Sequence, residues 1–262
     1  MAVDFETNTV NLSINGRVAV LEMNRPEAMN ALDLEMIKSL VYKLKEIGSS
    51  DDVDIVVLKG AGRAFCAGGD IKTMLSGTDE NGFYSVMDSI SELAVTLYSM
   101  PKITISAVSG AAAGLGLSLA LASDYIIAEK SSKLAMNFIG IGLIPDGGGH
   151  FFLETRLGEA RTKQVIWEGK TMSGEEALAI GMIDETAEDL TAAVSERVDN
   201  WLNKPVQAMI KTKKILADKN RPGLLRVLEL EKIGQFKMRQ TEDHQEGIRA
   251  FLEKRSPKFI GK

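Results

Sequence analysis

The chain has 262 residues, a formal net charge of −5, one cysteine and a hydrophobic content of 45%, which is ordinary for a globular protein. This length is enough for one large domain or two small ones with a substantial core. The negative charge argues against nonspecific nucleic-acid binding, and a single cysteine excludes an internal disulfide. Because the sequence shows no secretion signal and no apolar run of membrane-spanning length, we expect a cytoplasmic protein without nucleic-acid or membrane partners.

The hydrophobic pattern predicts alternating strands and helices, followed by a helical tail. Asn15-Gly16 is a hairpin signal, and Asp33 is a suitable helix N-cap. Strands are predicted over 10–14, 18–23, 55–59, 103–108 and 125–128, with helices over 34–47, 83–100 and from 115. From residue 159 onward the pattern is nearly all helical, with helices over 173–180, 190–202, 205–217 and 224–237. The alternation indicates an α/β core.

Most of the functional signal lies in residues 103–150. The β-branched run ITISAV ends in a small-residue loop, 109–116, that opens into an apolar helix start. Such a loop exposes backbone N–H groups that suit an anion. A second apolar run ends in IPDGGG, where Asp146 is a lone carboxylate and a candidate proton carrier. The segment therefore predicts an anion-stabilising pocket with one acid beside it.

Five segments occur in an order that identifies a family. They are NRPEAMNAL (24–32), FCAGGDI (65–71), SGAAAGLGLSLALASD (109–124), IGLIPDGGG (141–149) and AFLEKRSPKFIG (250–261). With them the whole chain resembles the crotonase, or enoyl-CoA hydratase/isomerase, superfamily. The resemblance implies a spiral of ββα turns with a C-terminal helical trimerisation region. We expect a spiral core in 1–195 with the CoA and catalytic sites, a helical region in 196–262, and a homotrimer or a dimer of trimers.

The resemblance also implies the chemistry and the site residues. The substrate is an acyl-CoA thioester, so coenzyme A enters as part of the substrate and we expect no other cofactor and no metal. Two backbone N–H groups stabilise the charge that develops on the thioester oxygen, and the motifs place them at Gly69 and Leu115. The cations among the expected CoA contacts suit phosphate, although they are equally compatible with ordinary surface charge. The expected substrate and CoA contacts are Arg25, Ala28, Ala67, Gly68, Gly69, Asp70, Ile71, Lys72 and Phe138.

Within the family, the positions of the acidic residues distinguish the hydratases from the isomerases. The hydratases use two glutamates, and motif matching places Ser118 and Phe138 at those positions. Asp146 instead matches an aspartate that shuttles a proton in members that move a double bond. We therefore predict a 3-enoyl-CoA to 2-enoyl-CoA isomerase with Asp146 as the single base. The alternatives are hydration by an atypical route and a non-catalytic acyl-CoA-binding protein.

Several alternatives remain open for individual residues. Asp146 could be only the N-cap of the following helix. If it is the base, burial beside Phe138, Ile139 and Leu143 would raise its pKa, against the helix dipole. His150 could reach the same pocket or simply begin a helix. Two further candidates are weaker: Ser118 with Asp243 and His244 forms a poor triad because Ser118 lies inside an apolar helix, and Cys66 is better explained as a small buried residue.

Overall fold

The computed structural model describes residues 8–70 and 79–262, so the predicted CoA contacts Ile71 and Lys72 lie outside the described residues. The strands are β1 (Val10–Asn15), β2 (Val18–Met23), β3 (Ile55–Gly60), β4 (Ile103–Val108), β5 (Ala111–Ala113), β6 (Tyr125–Glu129), β7 (Lys133–Ala135), β8 (Met172–Ser173) and β9 (Glu185–Ala187). The α-helices are α1 (Leu34–Ser49), α2 (Glu80–Ser99), α3 (Leu115–Leu121), α4 (Gly149–Glu168), α5 (Gly174–Ala179), α6 (Leu190–Leu202), α7 (Val206–Met238) and α8 (Glu242–Leu252).

The larger sheet has six strands in the order β1-β2-β3-β4-β6-β9, and the smaller has the order β5-β7-β8. In the larger sheet β1 and β2 are antiparallel, with Asn15 opposite Val18, and the other neighbours are parallel. The hairpin turn needs Gly16, whose φ is +56°. The predicted hairpin and the mixed α/β architecture with a parallel-rich sheet are confirmed.

Both faces of the larger sheet are covered, which explains its continuous apolar strands. In β3, Val56 and Leu58 belong to the main core, which also contains Leu40 of α1 and Leu97 of α2. The alternate residues of the strand belong to a second core on the other face. That second core comprises Ile55, Val57, Ile103, Ile105, Ala107, Ile127, Val198, Val206 and Ile210.

Two predicted helices are one helix in the structure. The sequence predicts a break between 217 and 224, yet α7 runs unbroken through Pro222. A proline inside a helix removes one backbone hydrogen bond and costs about 3 kcal/mol. Here Ala217 and Leu224 are both buried, so the packed face continues across the proline and outweighs that cost. The prediction of two separate helices was wrong because the hydrophobic periodicity of a sequence does not show which residues pack together in the folded protein.

Other boundaries also differ from the prediction. Helix α4 begins at Gly149, directly after the IPDGGG motif where a helix is expected, and Gly158, with a φ of +72°, kinks it into two halves. The strands β5, β7, β8 and β9 and the helix α8 were not predicted; the strands have only two or three residues each. Strand β5 lies inside the predicted loop 109–116. Such short strands carry too little alternation to be detected.

The predicted division between residues 195 and 196 falls within α6, and the division of the chain into two parts stays a prediction. Within residues 8–70 and 79–262, every helix is too short or too polar to cross a membrane.

Candidate active site

The site begins where two loops pair. The Cys66 N–H donates to the Ala111 carbonyl at 2.9 Å, and the Ala113 N–H donates to the Cys66 carbonyl at 3.0 Å. This short parallel pairing fixes the loop after β3 against the segment that leads into α3. It places Gly69 beside Leu115, the first residue of α3.

Two glycines make this approach possible. Gly68 has a φ of +107°, and a Cβ there would lie 2.8 Å from the Ala113 carbonyl oxygen and 3.8 Å from the Leu115 nitrogen. Gly114, the N-cap of α3, has a φ of +52° and a ψ of −124°. A side chain at either position would be strained, and at Gly68 it would also push the two loops apart.

The pairing leaves two backbone amides without acceptors among the described residues. The Leu32 N–H donates to the Gly68 carbonyl, and the Asp70 N–H donates to the Leu32 carbonyl. These two bonds involve the residues before and after Gly69 and leave the Gly69 N–H unused. Across residues 8–70 and 79–262, the N–H groups of Gly69 and Leu115 donate to no acceptor. Two such donors can stabilise an oxyanion, which is the role that the sequence predicts for them.

A cavity of about 290 Å³ lies against these amides and is mostly apolar. Ala67, Gly68, Gly69, Asp70 and Leu115 form one wall, and Phe138, Asp146 and Gln235 contribute to the rest. The structure thus brings together seven of the predicted site residues, namely Ala67, Gly68, Gly69, Asp70, Leu115, Phe138 and Asp146. The apolar neighbours predicted to bury Asp146 are only partly right. Phe138 and Leu143 line the same cavity, but Ile139 is 39% exposed and does not line it.

Arg25 and Ala28 are not among the described residues that line the cavity, although Arg25 contacts one that does. The Arg25 guanidinium donates to the Ala31 carbonyl at 2.6 Å and pairs with Asp33 and Asp70, each at 3.0 Å. Its charge therefore fixes the loop that carries Asp70. Ala28 ends a single turn of 3-10 helix, Pro26–Ala28. Contact of either residue with CoA stays a prediction.

Asp146 is buried in the cavity wall, with 9% of its surface exposed. One carboxylate oxygen, Oδ2, accepts a hydrogen bond of 3.2 Å from the Gln235 side-chain amide. The other, Oδ1, is buried and has no hydrogen-bond partner among the described residues. Burial raises the pKa of Asp146 to about 8, the negative charge of Glu231 adds to that rise, and the hydrogen bond from Gln235 opposes it. Both the protonated and the ionised form of this carboxyl are therefore accessible near neutral pH.

The alternative that Asp146 only caps a helix is wrong. Helix α4 has Gly148 as its N-cap and no side-chain cap. Asp146 contributes only its backbone carbonyl, which accepts from the Gly149 N–H at 3.1 Å, and its carboxylate accepts from none of the first N–H groups. Glu231 of α7 accepts those hydrogen bonds instead, from Gly148 N–H at 2.8 Å and His150 N–H at 3.1 Å. The His150 ring also contacts Glu231, with Nδ1 2.8 Å from Oε1, and does not line the cavity. His150 therefore begins the helix and faces Glu231, not Asp146.

The side chains of Ser118, Asp243 and His244 do not form a catalytic triad. Ser118 is fully buried in α3, and the nearest acceptor of its hydroxyl is the Gly114 carbonyl at 3.5 Å. Asp243 accepts from the Ile260 and Gly261 amides, and the His244 ring bonds to the Ile141 carbonyl at 2.8 Å. These contacts exclude a triad.

Cys66 is also buried, as predicted, and burial raises the pKa of its thiol to about 12. The described part of the chain places no three His, Cys, Asp or Glu side chains together as a metal site.

Sequence reasoning missed three polar residues of the cavity region, two on α7 and one, Arg239, at its C-cap. Gln235 and Arg239 line the cavity, and Glu231 is buried directly behind Asp146 at the start of α4. The sequence carries only a weak signal for them. They follow one another at intervals of four on a helix, so they share one face, but nothing in the sequence shows that this face is buried.

Comparison with known proteins agrees with this architecture. Residues 13–262 match the enoyl-CoA hydratase/isomerase family model. A putative enoyl-CoA hydratase/isomerase of Bacillus subtilis, YhaR, is 49% identical over 95% of this chain and 98% of its own length. The 1,2-epoxyphenylacetyl-CoA isomerase of Escherichia coli is 36% identical over 94% and 95%.

Solved structures give the same result. An enoyl-CoA hydratase crystal structure from Mycobacterium avium subsp. paratuberculosis superposes with a TM-score of 0.87 at 26% identity, covering 97% of this chain and 99% of that one. The predicted crotonase-like fold is thereby confirmed. On the family match and the extent of these similarities, the chain belongs to the enoyl-CoA hydratase/isomerase family, which is also called the crotonase superfamily.

Proposed function

We propose that this enzyme moves the double bond of a 3-enoyl-CoA to the 2-position, with Asp146 as its single proton carrier. The observation that carries the proposal is that Asp146 lines the same cavity as Gly69 and Leu115, and that its buried Oδ1 has no hydrogen-bond partner in the described part of the chain. A base and two unused N–H donors in one largely apolar cavity suit proton transfer next to a thioester.

The reaction follows from this layout. Asp146 Oδ1 takes a proton from C2, and the electron pair of that C–H bond moves toward the thioester carbonyl. The oxygen gains negative charge, which the N–H groups of Gly69 and Leu115 stabilise. The electrons then return: the C2–C3 double bond forms, the C3–C4 double bond breaks, and its electron pair forms the new C4–H bond with the proton that Asp146 gives up. A pKa of about 8 makes this carboxylate a stronger base than a free aspartate.

The carboxyl groups of the cavity favour isomerisation over hydration. Ser118 and Phe138 occupy the positions of the two hydratase glutamates and cannot activate water. Among the described residues that line the cavity, the carboxyls are those of Asp146 and Asp70, and Asp70 pairs with Arg25 at 3.0 Å. One available base is enough to move a proton between two carbons. Relatives named as isomerases include those of E. coli and, at 29% identity, Streptococcus mutans.

A non-catalytic acyl-CoA-binding role fits the cavity less well. Burying a carboxyl oxygen without a hydrogen-bond partner costs roughly 1–3 kcal/mol or more. A site that only binds an acyl chain gains nothing from that cost. A proton-transfer site does, because burial brings the pKa of Asp146 close to neutral pH.

We also propose the expected assembly, a trimer or a dimer of trimers that acts on CoA thioesters without another cofactor. The helical tail carries an unusual number of exposed large apolar side chains, which is typical of an interface. They are Ile215, Leu216, Leu225, Leu230, Ile233, Phe251, Leu252, Phe259 and Ile260. Sedimentation equilibrium tests this directly: three or six chain masses support the proposal, and a monomer at micromolar concentration contradicts it.

The function is tested by assaying Asp146→Asn with a 3-enoyl-CoA and with crotonyl-CoA. We expect the native enzyme to isomerise the first much faster than it hydrates the second, and Asp146→Asn to lose isomerisation while it still binds CoA. Asp54→Asn is the matched control, because Asp54 is equally buried but bonds to Arg17 and Gln207 away from the cavity. Normal isomerase turnover by folded Asp146→Asn, or rapid hydration by the native enzyme, would contradict the proposal.

A further inference from the structure

Two buried polar residues of α7 face the base from outside the recognisable motifs. Glu231 and Gln235 are one helical turn apart and only 2% and 3% exposed. Buried polar groups are costly unless they are hydrogen-bonded, and both residues make their bonds to the segment that holds Asp146.

The orientation of Gln235 is fixed by its two acceptors. Its amide nitrogen donates to the Ile144 carbonyl at 2.6 Å and to Asp146 Oδ2 at 3.2 Å. Reversing the amide would place its oxygen against both acceptors, so the nitrogen must face them. Because Oδ2 is held in this way and Oδ1 has no hydrogen-bond partner among the described residues, we assign the proton transfer to Oδ1. The hydrogen bond also favours the ionised carboxylate.

Glu231 acts on the same carboxyl in the opposite direction. Its two oxygens accept from the Gly148 and His150 N–H groups and contact the His150 ring, so its negative charge is held at the start of α4. That charge lies close enough to Asp146 to disfavour a second negative charge there.

We propose that Gln235 and Glu231 are an opposed pair of positioning residues, in which Gln235 orients and stabilises the ionised Asp146 while Glu231 keeps it a stronger base. The proposal rests on Asp146 being the base. It extends the site to α7, whose contribution to catalysis would be to set the pH at which Asp146 becomes active.

The other charged groups near Asp146 are few and engaged. At the C-cap of α7, Arg239 lies over the Phe83 ring at 4.9 Å. On α7 itself, Lys232 pairs with Asp88 and Glu229. On α4, His150 pairs with Glu231, and at the cavity rim Asp70 pairs with Arg25. The side chains of α2 that line the cavity are Phe83, Val86, Met87 and Ile90, which carry no charge.

The test is the pH dependence of kcat/KM for isomerisation, which reports the pKa of the free enzyme's base. Gln235→Leu removes the hydrogen bond that favours the ionised Asp146. The rising limb of the pH profile of kcat/KM should therefore move to higher pH by about one unit. Glu231→Gln removes the charge and should move it to lower pH by about one unit. Gln207→Leu is the matched control, because it removes an amide–carboxylate bond on the same helix, to Asp54 at 2.6 Å, and should leave the limb in place.

The outcomes separate this inference from the proposed function. Shifts in opposite directions support it. A loss of turnover in both variants without a shift, or shifts in the same direction, would show a merely structural role. If Gln235→Leu does not fold, the pH profiles of Gln235→Met and Glu231→Gln decide the question. A Glu231→Gln profile that does not shift overturns the proposal. Full activity of Asp146→Asn would overturn both proposals, whereas an inactive Asp146→Asn with unmoved limbs would overturn this one alone.

Discussion

The two walls of the cavity are built on different physical principles. The loop wall, around Gly69 and Leu115, offers backbone N–H groups, and glycine conformations at Gly68 and Gly114 fix their position. The helix wall, around Asp146, works through side chains whose charge and hydrogen bonds are set by α7. The loop wall is therefore sensitive to added atoms and the helix wall to altered charge. Changes in the loops should act at every pH, whereas changes on α7 should act through pH.

The largest effect is expected when an atom is added to the loop wall. Gly68→Ala places a Cβ 2.8 Å from the Ala113 carbonyl and should displace the Gly69 amide. We expect turnover to fall roughly a hundredfold at all pH values, the typical cost of losing one oxyanion donor. Gly158→Ala is the matched control, since Gly158 also has a positive φ but a Cβ there meets nothing within 4 Å. Equal turnover in the two variants would show that the loop junction does not hold the oxyanion donors.

A smaller effect, on stability, is expected at the helix wall. The pKa of Asp146 is about 8 in the folded protein, against about 4 in the unfolded chain. Between these values the native state holds one more proton, so the free energy of unfolding falls as pH rises, by at most about 1.4 kcal/mol per pH unit.

Asp146→Asn removes this dependence. Its stability relative to the native chain should increase from pH 4 to pH 8 and then level off. Urea denaturation across this range measures the difference. A difference that stays constant with pH would mean that the carboxyl ionises normally in the folded protein.

The smallest effect is expected at Ser118, which the resemblance to the family motifs places at a hydratase-glutamate position. Its hydroxyl is buried, and its contacts to the Gly114 carbonyl and the Met136 sulfur, at 3.5 and 3.9 Å, are weak. Ser118→Ala should keep isomerase turnover within twofold and change stability by less than about 1 kcal/mol. A large loss of turnover with unchanged melting would give Ser118 a part in catalysis and weaken the single-base mechanism.

The loop wall could be predicted from the sequence, but the helix wall could not. Gly69 and Leu115 could be placed because the resemblance to the family motifs assigns the backbone donors to these positions, and glycine at Gly68 and Gly114 permits the positive φ angles that the loops adopt. The sequence also indicated Asp146, because it is a lone acid after an apolar run. Its environment depends on Glu231 and Gln235, more than eighty positions away, and no local pattern links them. The continuity of α7 through Pro222, which brings them there, likewise depends on tertiary packing.

The central claim is that one buried carboxyl carries the proton from C2 to C4, and an isotope-transfer experiment tests it most directly. The native enzyme is given a 3-enoyl-CoA carrying deuterium at C2, and the product of a single turnover is analysed for deuterium at C4. Because Asp146 is 9% exposed in a largely apolar cavity, we expect a substantial fraction of the label to reach C4 before it exchanges with water. Complete loss of the label in the first turnover, or a hydrated product in place of the 2-enoyl-CoA, would contradict the single-carboxyl mechanism.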